Sequence, residues 1–248
     1  MNNILSVKSL KKIYHTPKEE ILAVDNISFS IKEGEFVAIV GPSGCGKSTI
    51  LSILCGLDEK SDGEIIFSND CKMGYMLQQD SLFEWRNILS NCLLGLEING
   101  EVSKENVEYV KGLLETYGLK DFMYRYPSSL SGGMRQRVAL IRTLATKPDL
   151  ILLDEPFSAL DFQTRLVVSD DVYNIIKKEN KSAIIVTHDL SEAISIADKV
   201  IVLSKRPSII KKIINIEFED RSTPINNRNA REFSHYYDLI WKEIDYNV

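Results

Sequence analysis

Residues 36–49 read FVAIVGPSGCGKST, an apolar, β-branched run that breaks off in a glycine-rich loop ending in Lys-Ser-Thr. Five successive uncharged residues from Phe36 to Val40 suit a strand covered on both faces. From Lys47 the chain is apolar, free of internal Gly or Pro, and stops at Gly56, which predicts a short buried helix. Strand, loop and helix in this order fit G-x-x-x-x-G-K-[ST]. Gly41, Pro42, Ser43, Gly44, Cys45, Gly46, Lys47, Ser48 and Thr49 are thus the expected nucleotide loop. Gly44 and Gly46 let backbone N–H groups turn inward onto phosphate oxygens, and the helix N-terminus adds positive potential. Lys47 supplies a point charge for the β and γ phosphates, and Ser48 an oxygen for Mg²⁺.

Two further segments carry chemistry. LILLDEP, Leu150 to Pro156, is an apolar strand that delivers two carboxylates side by side. Beside a phosphate loop, Asp154 is placed to bind Mg²⁺, through water, and Glu155 to polarise a water for attack on the γ-phosphate. In LSGGMRQR, Leu130 to Arg137, Ser131 starts a helix while Gly132 and Gly133 leave its first N–H groups uncovered, which makes an anion site or, alone, an ordinary helix entry.

Around these motifs the pattern alternates. Strand signals lie at Ile21 to Val40, Glu64 to Phe67 and Lys72 to Leu77, and again at Leu150 to Leu153, Ala183 to Val186 and Lys199 to Leu203. Helical spacing of Val107, Val110, Leu114 and Tyr117 predicts a helix capped by Ser103 and stopped at Gly118, and a second runs from Ser131 to about Ala145. Alternation of this kind implies a parallel sheet with crossover helices. We expect one domain over 1–248, with 79–157 as an inserted helical subdomain and 229–248 as a C-terminal helix presenting Phe233, Tyr237, Ile240, Trp241 and Ile244 on one face.

Composition removes several classes. A formal charge of −5, from 30 basic and 35 acidic residues, argues against nucleic-acid partners. No apolar stretch approaches the roughly 18 residues that span a bilayer, and the N-terminus lacks the apolar core of a secretory signal. Cys45, Cys55, Cys71 and Cys92 show neither a CxxC pair nor a zinc spacing, so they are expected to be reduced packing residues.

The phosphate loop, LSGGM, LILLDEP, SALD at Ser158 to Asp161 and THD at Thr187 to Asp189 follow one another in an order that resembles an ABC-transporter ATPase subunit. The resemblance covers the whole chain. It implies an α/β fold, with a P-loop NTPase (RecA-like) core, an antiparallel β portion and an inserted helical subdomain. By the same resemblance Tyr14 stacks on adenine, Gln78 senses Mg²⁺ and γ-phosphate, His188 is the switch histidine on the γ-phosphate, and Asp161 reaches across a dimer. Ser131, Gly132 and Gly133 of one copy would close on the ATP held by the other, in a homodimer formed with ATP. Two transmembrane permease subunits and an extracytoplasmic substrate-binding protein are implied, with the ATPase peripheral on the cytoplasmic face of the membrane.

A finer resemblance, in Leu77 to Glu97 and Val202 to Ile210, is to importer ATPases for nitrate, sulfonate, taurine and thiamine precursors. Phe83, Glu84 and Trp85 stand where that group shows Leu-Pro-Trp, and Ser208 where it shows glycine. A charged Glu84 suggests a basic residue on the partner helix, and Trp85 is either a partner contact or a packed aromatic. Asn180-Lys181-Ser182 imitates the start of a guanine-reading motif, but Ala183 occupies the place of its aspartate.

Overall fold

The computed structural model describes residues 2–68 and 71–244. In chain order the elements are β1 (Asn3–His15), β2 (Glu20–Lys32), β3 (Phe36–Val40), α1 (Lys47–Leu54), β4 (Asp62–Phe67), β5 (Met73–Met76), α2 (Ile88–Cys92), α3 (Leu94–Ile98) and α4 (Lys104–Thr116). They continue with α5 (Gly132–Ala145), β6 (Leu150–Asp154), α6 (Phe162–Lys178), β7 (Ser182–Val186), α7 (Leu190–Ile196), β8 (Lys199–Leu203), β9 (Ile210–Asn215), α8 (Pro224–Asn227) and α9 (Arg231–Glu243). Six strands form one sheet in the order β5-β6-β7-β3-β8-β9, parallel except for β9. A second, antiparallel sheet has the order β2-β1-β4.

The large sheet is covered on both sides, and the period-two alternation of its strands sorts side chains between two cores. Phe36, Ala38 and Val40 of β3, with Ile151 and Leu153 of β6, join the core built with α2, α4, α5, α6 and α7. Val37, Ile39, Leu150 and Leu152 point the other way, onto α1 and the antiparallel sheet. Covering both faces is why these strands read as unbroken apolar runs.

Leu150–Asp154, read from the sequence as a strand, lies inside the 79–157 segment and is hydrogen-bonded between β5 and β7, with all five residues buried. The helical part ends at Ala145, ahead of Pro148, which cannot continue a helix. The C-terminal helix spans Arg231–Glu243, and residues 245–248 of its expected range lie outside the described residues. Its inner face carries Ile240 and Ile244, with Phe233 and Tyr237 half-buried against the same core, whereas Trp241 is half exposed and stacks on Tyr237 one turn earlier.

Leu153 is fully buried and Leu57 is 70% exposed. Leu153→Ala is expected to lower unfolding free energy by about 2–5 kcal/mol in urea denaturation, and Leu57→Ala to change it by no more than about 0.5 kcal/mol.

Candidate nucleotide site

β3 ends at Val40 and the chain folds over the first turn of α1. Gly44 and Gly46 take φ of +71° and +111°, a left-handed backbone that side-chain-bearing residues resist. Gly46 is the N-cap of α1 and supplies no side-chain cap, so the helix N-terminus is bare. The Lys47 ammonium is turned inward, donating to the carbonyls of Gly41 at 2.9 Å and Pro42 at 3.1 Å, and its side chain is buried. Cys45 fills space behind the loop, where burial pushes its thiol pKa up. Ser43, Gly44 and Ser48 are exposed.

The two neighbouring carboxylates meet different surroundings. Asp154, buried, accepts hydrogen bonds from Ser48 Oγ at 3.0 Å and Tyr75 Oη at 3.1 Å. Burial raises its pKa, helped by the charge of Glu155 and opposed by the two hydroxyls. Glu155 donates its N–H to Val186 O at 2.9 Å, one step beyond the strand, and then takes a left-handed φ of +43°. That conformation costs about 1–3 kcal/mol in a non-glycine residue and persists only when its surroundings enforce it. The turn brings Glu155 Oε2 to 3.2 Å from His188 Nδ1, on the exposed histidine that follows β7.

The other expected residues fall into two places. Gln78, two residues beyond β5, donates to Ser158 Oγ at 3.3 Å, and Ser158 donates to Glu155 O at 3.0 Å. Tyr14 Oη lies 3.4 Å from Thr49 Oγ1, so the ring borders the loop. Ser131, Gly132, Gly133 and Asp161 sit at the starts of α5 and α6. Ser131 caps α5, accepting from Met134 N, and Asp161 caps α6, accepting from Thr164 N at 3.1 Å; the Thr164 hydroxyl and then this N–H hold the Asp161 carboxyl below the usual range. A Cβ on Gly133 would stand 2.8 Å from Val168 Cγ2, so the glycine pair admits α6 as well as baring N–H groups. Glu84 is bonded to Arg135 at 2.8 Å, so its charge is answered within the chain, and Trp85 is 75% exposed, stacked on Phe83 rather than packed in the core.

Tyr75 and Glu192 were not singled out from the sequence. Glu192 had a signal, since Asp189-Leu190-Ser191-Glu192 is a capping-box pattern. Its carboxyl instead accepts from Thr187 Oγ1 at 3.1 Å, directly before His188, and burial lifts its pKa to about 8.

The ABC transporter family profile matches residues 24–158. The chain belongs to the ABC transporter family. It is 43% identical over 98% of its length to an uncharacterised ABC transporter ATP-binding protein of Bacillus subtilis (strain 168), and covers 96% of that protein. A nitrate import ATP-binding protein of Synechocystis sp. (strain ATCC 27184 / PCC 6803 / Kazusa) is 36% identical, with 95% of this chain and 93% of the relative covered. Among solved structures, the dimeric ATP-binding cassette MJ0796 in a post-hydrolysis state with ADP and Pi superposes with a TM-score of 0.71 at 32% identity, over 86% of this chain and 99% of that one. This ABC transporter ATPase is an ATP-binding subunit. Among its described residues no helix is long and apolar enough to cross a membrane.

Two outcomes follow for the scaffold of the site. With its native pKa raised from 4.5 to about 8, Glu192 favours folding most when protonated, so its contribution is full below its ordinary value and is lost as pH rises through about 8. Glu192→Gln is expected to flatten that part of the stability profile, measured by urea unfolding between pH 5 and 9 (~1-unit steps). Gly133→Ala forces Val168 aside and is expected to cost about 1–3 kcal/mol by the same measurement.

Proposed function

We propose that this subunit hydrolyses Mg·ATP to drive an importer for a small anionic or polar solute of the nitrate, sulfonate or taurine type. One observation carries the hydrolytic reading: Ser48 meets Asp154 at 3.0 Å while, one residue on, Glu155 meets His188 at 3.2 Å. Loop, carboxylates and histidine thus lie on one line of strand ends, where α/β sheets bind ligands.

Each residue then has a task that its position suits. The bare N–H groups of residues 41–49 and Lys47 hold the phosphates, and Lys47 exchanges two loop carbonyls for phosphate oxygens. Ser48, Asp154 and Gln78 offer hard oxygen donors suited to Mg²⁺, and a cation would compensate the buried Asp154. Bound there, Mg²⁺ supplies charge neutralisation for the transferring phosphoryl group. Glu155 accepts the proton of the attacking water. His188 faces the γ-phosphate, its Nδ1 held 3.2 Å from Glu155 Oε2. Tyr14 stacks on the base.

Ser131, Gly132, Gly133 and Asp161, at the N-termini of α5 and α6, suit the second half of a site shared between two copies. The dimeric cassette with ADP and Pi supports that reading. Two membrane permease subunits, docked on the face that carries Phe83 and the exposed Trp85, would take up the motion, with a substrate-binding protein outside and the ATPase at the cytoplasmic face. The nitrate-import relative supports the solute class.

Glu155→Gln tests the hydrolytic core. General-base assistance is worth about 10²–10⁴ in rate, so the variant is expected to bind ATP normally, turn over at about 1% or less, and run as a dimer on size exclusion with ATP and Mg²⁺. Turnover like that of the unaltered protein would remove Glu155 from the role.

A further inference from the structure

Tyr14 borders the nucleotide loop with its ring already held from two sides. Lys12 Nζ stands over one face, 4.7 Å from the ring centroid. The ammonium is fixed in that place, donating to Asp58 Oδ1 and to Glu59 O, each at 2.6 Å, and Lys12 is only 8% exposed. At the ring's other end Tyr14 Oη donates to the second oxygen of the same carboxylate, Asp58 Oδ2, at 2.8 Å. Asp58 follows Leu57 just beyond the stop of α1, so the clamp joins β1 to the helix that begins in the phosphate loop. Its bond to Lys12 holds the Asp58 carboxyl below the usual range, and the Tyr14 hydroxyl adds to this.

A lysine amine is seldom taken out of water unless it is paired. Here the pairing also covers one π-face with a cation and leaves Tyr14 37% exposed. We propose that Lys12 and Asp58 are positioning residues for the purine: they lock Tyr14 in one orientation and leave a single face for the base to stack on. The inference rests on Tyr14 being the base platform. A ring fixed beforehand loses no rotamer freedom when ATP binds, and the cation on its far side strengthens the stack from behind. Asp58 acts on both parts of the clamp at once, because its two oxygens hold the cation and the hydroxyl separately.

The test compares ATP with inorganic tripolyphosphate, which engages the loop but carries no base, by calorimetric titration of the isolated subunit. Lys12→Met keeps the side-chain stem and removes the cation. It is expected to weaken ATP about 3- to 10-fold while tripolyphosphate stays within about 2-fold. Tyr14→Phe keeps ring and cation but cuts the tether to Asp58, and is expected to weaken ATP alone by about 2- to 5-fold. It decides the matter should Lys12→Met fail to fold. Equal losses for both ligands would show the clamp to be a general support of the fold, and unchanged ATP affinity in both variants would show that the ring needs no clamp. Either result overturns the assignment. Tyr14→Ala separates the two layers of argument: if it spares the difference between ATP and tripolyphosphate, Tyr14 is not the base platform and the clamp falls with it, whereas selective loss there without loss in Lys12→Met removes the clamp alone.

Discussion

A shared strand direction governs where the chemistry of this ATPase can be. β7 and β8 flank β3 in parallel, with Val37 beside Ile184 on one side and Lys199 on the other, and β6 adds Asp154 opposite Val186. Strands that run together end together. The phosphate loop after β3, the carboxylates at the end of β6 and His188 after β7 therefore leave one edge of one sheet. Parallel pairing needs both faces covered, and α1 with the small sheet on one side and α5, α6 and α7 on the other supply the cover.

From that edge two adjacent carboxylates are led into opposite environments. Asp154 is still inside the sheet, where burial works against its charge and two hydroxyls favour it. Glu155 has left the sheet, and its left-handed φ swings it toward an exposed histidine. A regular strand would also send successive side chains to opposite faces, but it would keep both within the sheet. The backbone turn at one residue is what lets the first carboxylate stay against Ser48 while the second reaches water.

The core was legible because its signals are local. Phe36 to Val40 and Leu150 to Leu153 are unbroken apolar runs, and glycine punctuation marked the loop and the stop of α1. β1 was not legible, and its pairing says why. Its register with β2 shifts four times, and Ser9 takes φ of +50°, so buried residues fall at Ile4, Leu5, Val7 and Leu10 and no alternation survives to be read. Tyr14 could thus be placed only by resemblance, and its partner Asp58 lies far along the chain. Contacts of that kind, like Tyr75 with Asp154 or Thr187 with Glu192, depend on tertiary approach that no local pattern encodes.

What joins the helical part to the site is a pair of arginines on α5. Arg135 grips the Asp80 carboxylate at 2.7 and 3.0 Å and reaches Glu84, while Arg142 donates to the carbonyls of Asp80 and Ser81 at 2.6 and 2.8 Å. Although burial opposes it, Arg135 keeps Asp80 charged and below its usual pKa. Two side chains one face of a helix apart thus hold the segment after Gln78 by both its side chain and its backbone. Gly132 and Gly133, in the first turn of the same helix, let α6 and Leu160 approach closely. The segment after Gln78 is thus tied to α5 at Asp80, Ser81 and Glu84, next to the half-buried Phe83 and the exposed Trp85.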